Sequence, residues 1–324
     1  MRPSSRIARL VLLLCAAAFA GTAWSQTYPS RVVRMVVPYP PGGSIDILGR
    51  IVAQKLTDTL GQNVVIENRA GAAGTIGSEV VARSAPDGYT VLMTASVHII
   101  SPYILKTVSY DPVADFTPIS EIASGPLVIT ANLNVAARNV VELIEQAKQS
   151  PDKFVFATSG YGAAGHLAIE VLRRTIGREV LLVPYNGAGP ALTRMIAGDV
   201  HVLIDPVLSS YPFVRRGQLK ALAITGRARM AGAPDVPSVV ELGLPDLEFY
   251  SWYGLWGPRG LPRDIVMRLN GEIAKIVRMP DVEKRLSDGG FEAKASSPEE
   301  FADYILKENQ KYLRIIREAG IKTQ

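Results

Sequence analysis

Glycines and small hydroxyl residues recur where an apolar run gives way to a helical pattern. The first such turn, Pro40 to Asp46, follows the apolar run from Val32 to Val37 and precedes a helix that should stop at Gly61. Its prolines end a strand because they cannot donate to the ladder, and Ser44 is placed to cap the first amides of the helix. Free amides at the positive end of a helix dipole attract anions. The turn predicts an anion-binding site; a capped turn without ligand is the alternative.

The same construction occurs twice more along the chain. Thr158 to His166 follows a short apolar run and opens a second helix, and Asn186 to Pro190 follows the next run. Polar residues also follow a predicted strand between Thr94 and His98, and Asp205 ends another strand. Because ligands of α/β proteins bind beyond the carboxyl ends of parallel strands, we expect these turns to lie around one site.

Strands and helices alternate over most of the chain, which predicts an α/β fold with a mainly parallel sheet. Two segments break the alternation and read as crossing strands: residues 122 to 130, and the aromatic run from Phe249 to Trp256. The aromatic side chains of the second segment are expected to pack in the core. A glycine-rich loop from Asn68 to Gly77 lacks the lysine of a P-loop, so its glycines are expected to serve close packing of a helix on the sheet.

The first 25 residues read as a secretory signal peptide. Three arginines precede an apolar run from Leu10 to Ala20, and Ala23-Trp24-Ser25 fits a cleavage site, so cleavage is expected after Ser25. The only cysteine lies inside this segment, and the mature chain therefore has no disulfide and no thiolate ligand. Removing three arginines lowers the net charge from +5 to +2. This balance argues against nucleic acid as the partner.

An ordered set of short motifs resembles one protein family. The set comprises Pro38 to Asp46, Glu67 to Gly74, Ala85 to Thr90, Thr158 to His166, Val183 to Gly187 and Pro234 to Pro237. Together they resemble the Bug-type periplasmic solute-binding proteins of the tripartite tricarboxylate transporter system. The resemblance covers nearly the whole mature chain. It implies a two-lobed periplasmic-binding-protein fold of the type II-like, Venus-flytrap kind with two crossing strands, closing over a small carboxylate.

The resemblance and the strand-end positions together define the expected lobes and site. Lobe 1 is expected to comprise residues 26–126 and 246–324, and lobe 2 residues 127–245. The resemblance implies that backbone amides hold the carboxylate from Pro40 to Asp46 and from Thr158 to Gly162. The expected ligand-binding residues are Tyr39, Pro41, Gly42, Gly43, Ser44, Asp46, Ser96, His98, Thr158, Ser159, Gly160, Gly162, His166, Tyr185, Asn186 and Asp205.

Two positions depart from the family pattern, and several roles stay open. Asn186 stands where the family often has Lys or Arg, and Arg194 where it often has Asp, which favours a monocarboxylate over a tricarboxylate. Asp46 could complement the helix dipole or order a water at the ligand, while His98 and His166 could contact ligand or support their loops. His201, inside a strand, is expected to be structural.

The expected partners are a small carboxylate and membrane subunits of the tripartite tricarboxylate type, with the receptor itself a monomer in the periplasm. No cofactor, metal or catalytic residue is expected. His166 and Glu170 are spaced like metal ligands but lack a third. Ser159 lacks the glycine two positions earlier that a nucleophile elbow requires, which disfavours a secreted serine hydrolase. A periplasmic sensor that presents the same ligand to a signalling partner is the remaining alternative.

Overall fold

The computed structural model describes residues 28–318, 320 and 321. Its strands are β1 (Val33–Val37), β2 (Val64–Asn68), β3 (Thr90–Ala95), β4 (Phe116–Ala131), β5 (Val155–Thr158), β6 (Leu181–Pro184), β7 (Val202–Pro206), β8 (Lys220–Ile224), β9 (Tyr250–Pro258) and β10 (Glu292–Ala293). Its helices are α1 (Ser44–Leu60), α2 (Thr75–Ala82), α3 (Val97–Ile104), α4 (Val140–Gln149), α5 (Ala164–Ile176), α6 (Ala188–Ala197), α7 (Val207–Arg215), α8 (Arg263–Ile276), α9 (Pro280–Asp288) and α10 (Pro298–Glu318). The expected signal peptide lies outside the described residues.

The strands form two parallel groups joined through antiparallel neighbours. Along the sheet the order is β2-β1-β3-β9-β4-β7-β5-β6, with β8 and β10 paired to β4. In the first lobe β1 runs parallel to β2 and β3, and in the second lobe β5 runs parallel to β6 and β7. The predicted α/β class with two lobes is confirmed. This arrangement brings the carboxyl ends of both parallel groups towards the junction of the lobes.

Two long strands connect the lobes, as expected. Strand β4 changes partners between Pro126, which pairs with Tyr250 of β9, and Leu127, which pairs with Pro206 of β7. Strand β9 begins beside the second lobe, where the Phe249 amide donates to the Thr225 carbonyl, and then pairs with β3 in the first lobe. The lobes therefore share two crossing strands. The lobe boundaries, with residues 26–126 and 246–324 in lobe 1 and residues 127–245 in lobe 2, stay a prediction.

The aromatic run of β9 is largely core, in line with its expected packing role. Trp252 and Trp256 are fully buried, and each packs against Phe301 of α10, with ring centroids 5.9 and 4.9 Å apart respectively. Helix α10 begins with the capping pair Ser297 and Glu300, whose side chains each accept from the other's amide. The C-terminal helix thus packs on the strands that join the lobes.

Two glycines show why helices can approach the sheet so closely. A Cβ at Gly77 would lie 2.7 Å from the Arg69 carbonyl oxygen and 2.8 Å from Pro38 Cα, so this glycine of the loop serves close packing, whereas Gly71 and Gly74 have positive φ angles. A Cβ at Gly165 would lie 2.0 Å from the Ile204 carbonyl oxygen. Only glycine lets α5 begin directly against β7.

Three local expectations need correction. Ser44 does not cap α1: it is the first helical residue, Gly43 is the N-cap, and Asp46 accepts from the Gly42 amide instead. Ser96 to His98 do not form a loop, because α3 starts at Val97. Helices α7, α8 and α9 are additional to the elements expected from the sequence patterns. No helix among the described residues is long and apolar enough to cross a membrane.

Candidate functional site

A cavity of about 50 Å³, the central cavity, lies at the junction of the two lobes. The first lobe contributes Tyr39, Gly43 and Ser44 from the turn before α1, with Ser96 from the end of β3. The second lobe contributes Ser159, Gly187 and Asp205, and the crossing strand β9 contributes Ser251 and Tyr253. The central cavity is therefore built from the carboxyl ends of strands of both lobes, where α/β proteins hold ligands.

Helices begin around the central cavity in both lobes. Its wall includes the N-terminal residues of four helices: Ser44 of α1, Val97 of α3, Ala164 of α5 and Ala188 of α6. A fifth helix, α7, starts directly after Pro206 in the same wall. The first amides of a helix have no intrahelical acceptor and carry the positive end of its dipole. Their convergence makes the central cavity attractive to an anion.

Asp46 organises the turn before α1 without reaching the central cavity. Its carboxylate accepts from the Gly42 amide at 3.1 Å, from Asn68 Nδ2 at 3.0 Å and from Arg50 Nε at 3.0 Å, with Arg50 Nη2 2.9 Å from its other oxygen. Burial alone would raise the pKa of Asp46, but the bonds from Arg50, Asn68 and Gly42 outweigh it and hold the pKa below its usual range. Of the two roles considered, the geometry matches the structural one.

The opposing turn, Thr158 to Gly162, is also tied together by its own side chains. Thr158 Oγ1 donates to the Gly160 carbonyl at 3.0 Å, and the Gly162 amide donates to His166 Nδ1 at 3.3 Å. Burial, and next the charge of Arg173, lower the pKa of His166 to about 4, so the ring is neutral. His166 therefore supports this turn as a hydrogen-bond acceptor.

The turn before α1 touches the turn from Asn186 to Pro190 across the junction of the lobes. A Cβ at Gly187, which has a φ of +109°, would lie 3.0 Å from Pro40 Cδ. A Cβ at Gly189 would lie 3.3 Å from the Pro41 carbonyl oxygen. The lobes are thus closed over the central cavity, with glycines at the points of tightest approach.

Asp205 is the carboxyl group in the wall of the central cavity. It is 1% exposed, and Ser209 and Ser210 both donate to its Oδ2, the latter at 3.2 Å. Burial raises the pKa of Asp205 to about 6, although hydrogen bonds from Ser209, Ser159 and Ser210 oppose the rise. Among the described residues of the wall the other titratable groups are Tyr39 and Tyr253, and none is Lys, Arg or His.

Tyr253 is a wall residue that reasoning from the sequence assigned only to packing. Its hydroxyl donates to Ser44 Oγ at 2.8 Å, and burial raises its pKa above the usual range. The alternation of β9 could have shown that Ser251 and Tyr253 face away from Trp252 and Trp256. The small apolar residues Ala163, Ala164 and Ala188 of the wall carry no comparable signal.

A second cavity of about 180 Å³, the side cavity, adjoins the central one and shares Tyr39, Pro40 and Ser159 with it. Its wall includes the expected residues Gly160, Tyr185 and Asn186. It also contains the loop Gly71 to Gly74, whose Ala73 carbonyl accepts from the Tyr39 hydroxyl at 2.7 Å.

The structure brings some expected site residues together and leaves others behind the walls. Those in the wall of one or both cavities are Tyr39, Gly43, Ser44, Ser96, Ser159, Gly160, Tyr185, Asn186 and Asp205. Those outside both walls are Pro41, Gly42, Asp46, His98, Thr158, Gly162 and His166. The residues of the second group do not line either cavity, and their role in ligand binding stays a prediction.

His98 is the clearest example of an expected site residue that packs in the core instead of lining a cavity. It is 2% exposed and packs against Tyr110, Phe116 and Trp256, with ring centroids 5.6, 4.5 and 5.4 Å away. Burial lowers its pKa to about 3, so the ring is neutral. No cluster of three or more His, Cys, Asp or Glu that could hold a metal occurs in the described part of the chain.

Residues 48–321 match the model of a single family, described as the tripartite tricarboxylate transporter family receptor, TctC. The chain belongs to this family. Among solved structures, the TctC-family chain is similar to the periplasmic binding protein BugD, at 32% identity and a TM-score of 0.88 over 92% of this chain and 100% of that one. The Bug-type resemblance stated above is thus confirmed.

Two further similar structures contain ligands. R. palustris Rpa4515, solved with adipate, is 32% identical with a TM-score of 0.89, covering 92% of the TctC-family chain and 100% of its own. MatC from Rhodopseudomonas palustris, solved with malate, is 30% identical with a TM-score of 0.85, covering 89% and 100%. The family is one of transporter receptors, and each of these two similar structures contains a dicarboxylate.

Proposed function

We propose that this chain is a periplasmic receptor that closes its two lobes around one small carboxylate and delivers it to membrane subunits of the tripartite tricarboxylate type. The observation that carries the proposal is the convergence of helix N-termini from both lobes on the central cavity. The adipate and malate bound to the two similar proteins support a carboxylate as the solute here as well.

The magnitudes favour a ligand held by both lobes at once. Micromolar affinity requires about −8 kcal/mol. One helix N-terminus contributes up to about 1 kcal/mol, or about 2 when partly buried, and a neutral hydrogen bond about 1 kcal/mol. No single turn reaches the total, whereas several helix N-termini acting on one carboxylate do. The ligand therefore stabilises the closed arrangement over the open one, and the membrane subunits can recognise closure.

The remaining features of the proposal follow from the sequence. The leader is removed after Ser25, and the mature chain acts in the periplasm as a monomer. Lobe 1 comprises residues 26–126 and 246–324, and lobe 2 residues 127–245. Binding without catalysis is supported by the surroundings of Ser159, whose hydroxyl interacts with the carboxylate of Asp205 rather than with a histidine base.

A thermal-shift screen of the purified mature chain against mono-, di- and tricarboxylic acids tests the proposal. Binding to the folded state raises the melting temperature progressively with ligand concentration. We expect stabilisation by at least one acid and none by its amide or ester. The proposal is refuted if no acid changes the melting temperature relative to the ligand-free chain. Turnover of an ester substrate that disappears in Ser159→Ala would also refute it.

A further inference from the structure

The crossing strand β9 carries cavity residues on one face and a buried tryptophan on the other. Ser251 and Tyr253 line the central cavity, whereas Trp252 between them is fully buried against α10. The Trp252 indole N–H donates to Glu308 Oε2 of α10 at 3.2 Å, and the Trp252 carbonyl accepts from the Ser96 amide at 3.1 Å. Because Ser96 is also a wall residue, Glu308 acts through Trp252 on three residues of the cavity wall.

A second carboxyl group, that of Glu121, lies behind the same strands. Glu121 belongs to β4, pairs in register with Gly254 of β9 and is 7% exposed, and Glu308 is 9% exposed. Glu121 Oε1 is buried and has no hydrogen-bond partner among the described residues. Burial, and then the charges of Glu308 and Glu121, raise the pKa of Tyr304 on α10, so this hydroxyl faces both carboxyl groups. The two acidic side chains therefore lie close together between α10 and the crossing strands.

The cations around this pair do not neutralise Glu121. Lys311 Nζ lies 3.3 Å from Glu308 Oε1, and Lys294 Nζ lies 2.7 Å from Glu292 Oε2. Burial raises the pKa of Glu121 to about 7; Lys294 opposes the rise, and the charges of Glu308 and Glu292 add to it. Near neutral pH the folded chain therefore exchanges between a form with a neutral Glu121 and a form with two buried carboxylates.

Ionisation of Glu121 works against the contact between Glu308 and Trp252. A second buried negative charge repels the first and requires hydration, and both effects draw α10 away from the strands. A neutral Glu121 removes the repulsion, so that Glu308 keeps its bond from the indole. The neutral form thus supports the back of the cavity wall, and the ionised form loosens it.

We propose that Glu121 is a proton-dependent positioning residue of the central cavity: with its proton it keeps Glu308 on Trp252 and the wall in place, and without it the receptor binds its ligand less tightly. This inference rests on the proposed function and adds a regulation to it. Because coupling between two binding events is reciprocal, ligand binding and protonation of Glu121 favour each other. Affinity then falls as the pH rises from 6 to 8.

Tryptophan fluorescence tests the first step without any ligand. A chain that begins at Gln26 contains two tryptophans, Trp252 and Trp256, whose ring centroids lie 6.1 Å apart beside α10. We expect the emission of the ligand-free chain to titrate with a midpoint of about pH 7. Glu121→Gln resembles the protonated acid and should keep the low-pH emission at every pH. Identical titrations of the wild type and Glu121→Gln would overturn the proposal.

Titration calorimetry with adipate and with malate, at pH 6 and at pH 8, measures the effect on binding. We expect the wild type to bind at least one of them about threefold or more tightly at pH 6. Glu121→Gln should reduce this ratio and bind more tightly than the wild type at pH 8, a gain that mere damage to packing would not produce. Asp205, whose pKa is about 6, contributes to the pH effect in both chains alike.

Glu272→Gln is the matched control. Glu272 is 3% exposed on α8, but it is paired with Arg268 and Lys275, so it is a buried glutamate whose charge is balanced. This variant should keep both the fluorescence titration and the affinity ratio of the wild type. A loss of either in Glu272→Gln equal to that in Glu121→Gln would contradict the role given to Glu121.

The outcomes separate the two proposals. A fluorescence titration with equal affinities at pH 6 and pH 8 would show that the carboxyl pair does not act on the cavity, so the inference would be wrong while the receptor function stands. Binding of neither acid at either pH would overturn the coupling to ligand. The carboxylate function fails as well only when the wider panel of acids gives no thermal shift.

Discussion

The Tyr253 hydroxyl donates a hydrogen bond to Ser44 Oγ over 2.8 Å, although 209 positions separate the two residues in the chain. Tyr253 belongs to the crossing strand β9, and Ser44 is the first residue of α1. Both lie in the wall of the central cavity. The bond therefore couples a strand that joins the lobes to the helix N-terminus that we propose as an anion-binding site.

Tyr253→Phe should weaken ligand binding about threefold to tenfold, because it removes one hydrogen bond worth about 0.5–1.5 kcal/mol and leaves Ser44 Oγ without its donor. Titration calorimetry with an acid found in the thermal-shift screen measures the change. Tyr250→Phe is the control, since its hydroxyl lies on the same strand and accepts only from the exposed Arg227 amide among the described residues. Equal effects of the two substitutions would contradict the role given to Tyr253.

Gly43→Asp should abolish carboxylate binding while leaving stability nearly unchanged. Gly43 has φ −81° and ψ 165°, which any residue adopts, and aspartate is a favoured N-cap that differs from glycine by only a few tenths of a kcal/mol. Its charge would occupy the end of α1 that otherwise faces the ligand. Gly43→Asn is the matched control of equal size, and it should retain more affinity than the aspartate variant. Loss of binding in both variants alike would point to volume rather than charge.

Gly187→Ala should hinder closure, because its Cβ would lie 3.0 Å from Pro40 Cδ and its φ is +109°. Gly198→Ala carries a similar strain at φ +94°, but its nearest neighbour is Asn134 Nδ2 at 4.0 Å in the second lobe. Both should lower unfolding stability by about 1–3 kcal/mol, whereas only Gly187→Ala should lower affinity.

Small-angle scattering adds a direct measure of closure for the same pair. The wild type and Gly198→Ala should become more compact on saturation with ligand, and Gly187→Ala should respond less at the same concentration. Identical scattering of the wild type with and without ligand would show that binding does not depend on closure.

Asp205→Asn should change the pH dependence of stability in a defined direction. In the folded state the pKa of Asp205 is about 6, above the usual aspartate value of 3.8, so between these pH values the folded state binds the proton more tightly than the unfolded chain. Stability from this group therefore rises as pH falls from 7 towards 4, and the ionised carboxylate costs about 3 kcal/mol at pH 8. The asparagine variant lacks this penalty. Its melting temperature relative to the wild type should be highest at pH 8 and should decline towards pH 4; a pH-independent difference would contradict the assignment.

The turn at Pro40 to Asp46 shows how much of the candidate site is determined by residues that are neighbours in the sequence. A strand end, prolines that stop it, two glycines and a helix start are encoded by neighbouring residues, and the structure has each of them in place. The same reasoning located Ser159, Gly160 and Asp205 near the cavities, because strand ends of one parallel sheet must meet at one edge.

Only the tertiary structure decided which side chains of those turns face the central cavity. Asp46 turns away from the central cavity because Arg50 and Asn68, the latter on β2, saturate its carboxylate. His98 lies among aromatic rings because α3 starts at Val97, and His98 on this helix packs in the core. Tyr253 reaches Ser44 because β9 pairs with β3, whose other neighbour is β1, the strand that leads into α1. Local sequence determines where a turn forms, whereas contacts between distant segments determine which polar atoms are already satisfied and which remain for a ligand.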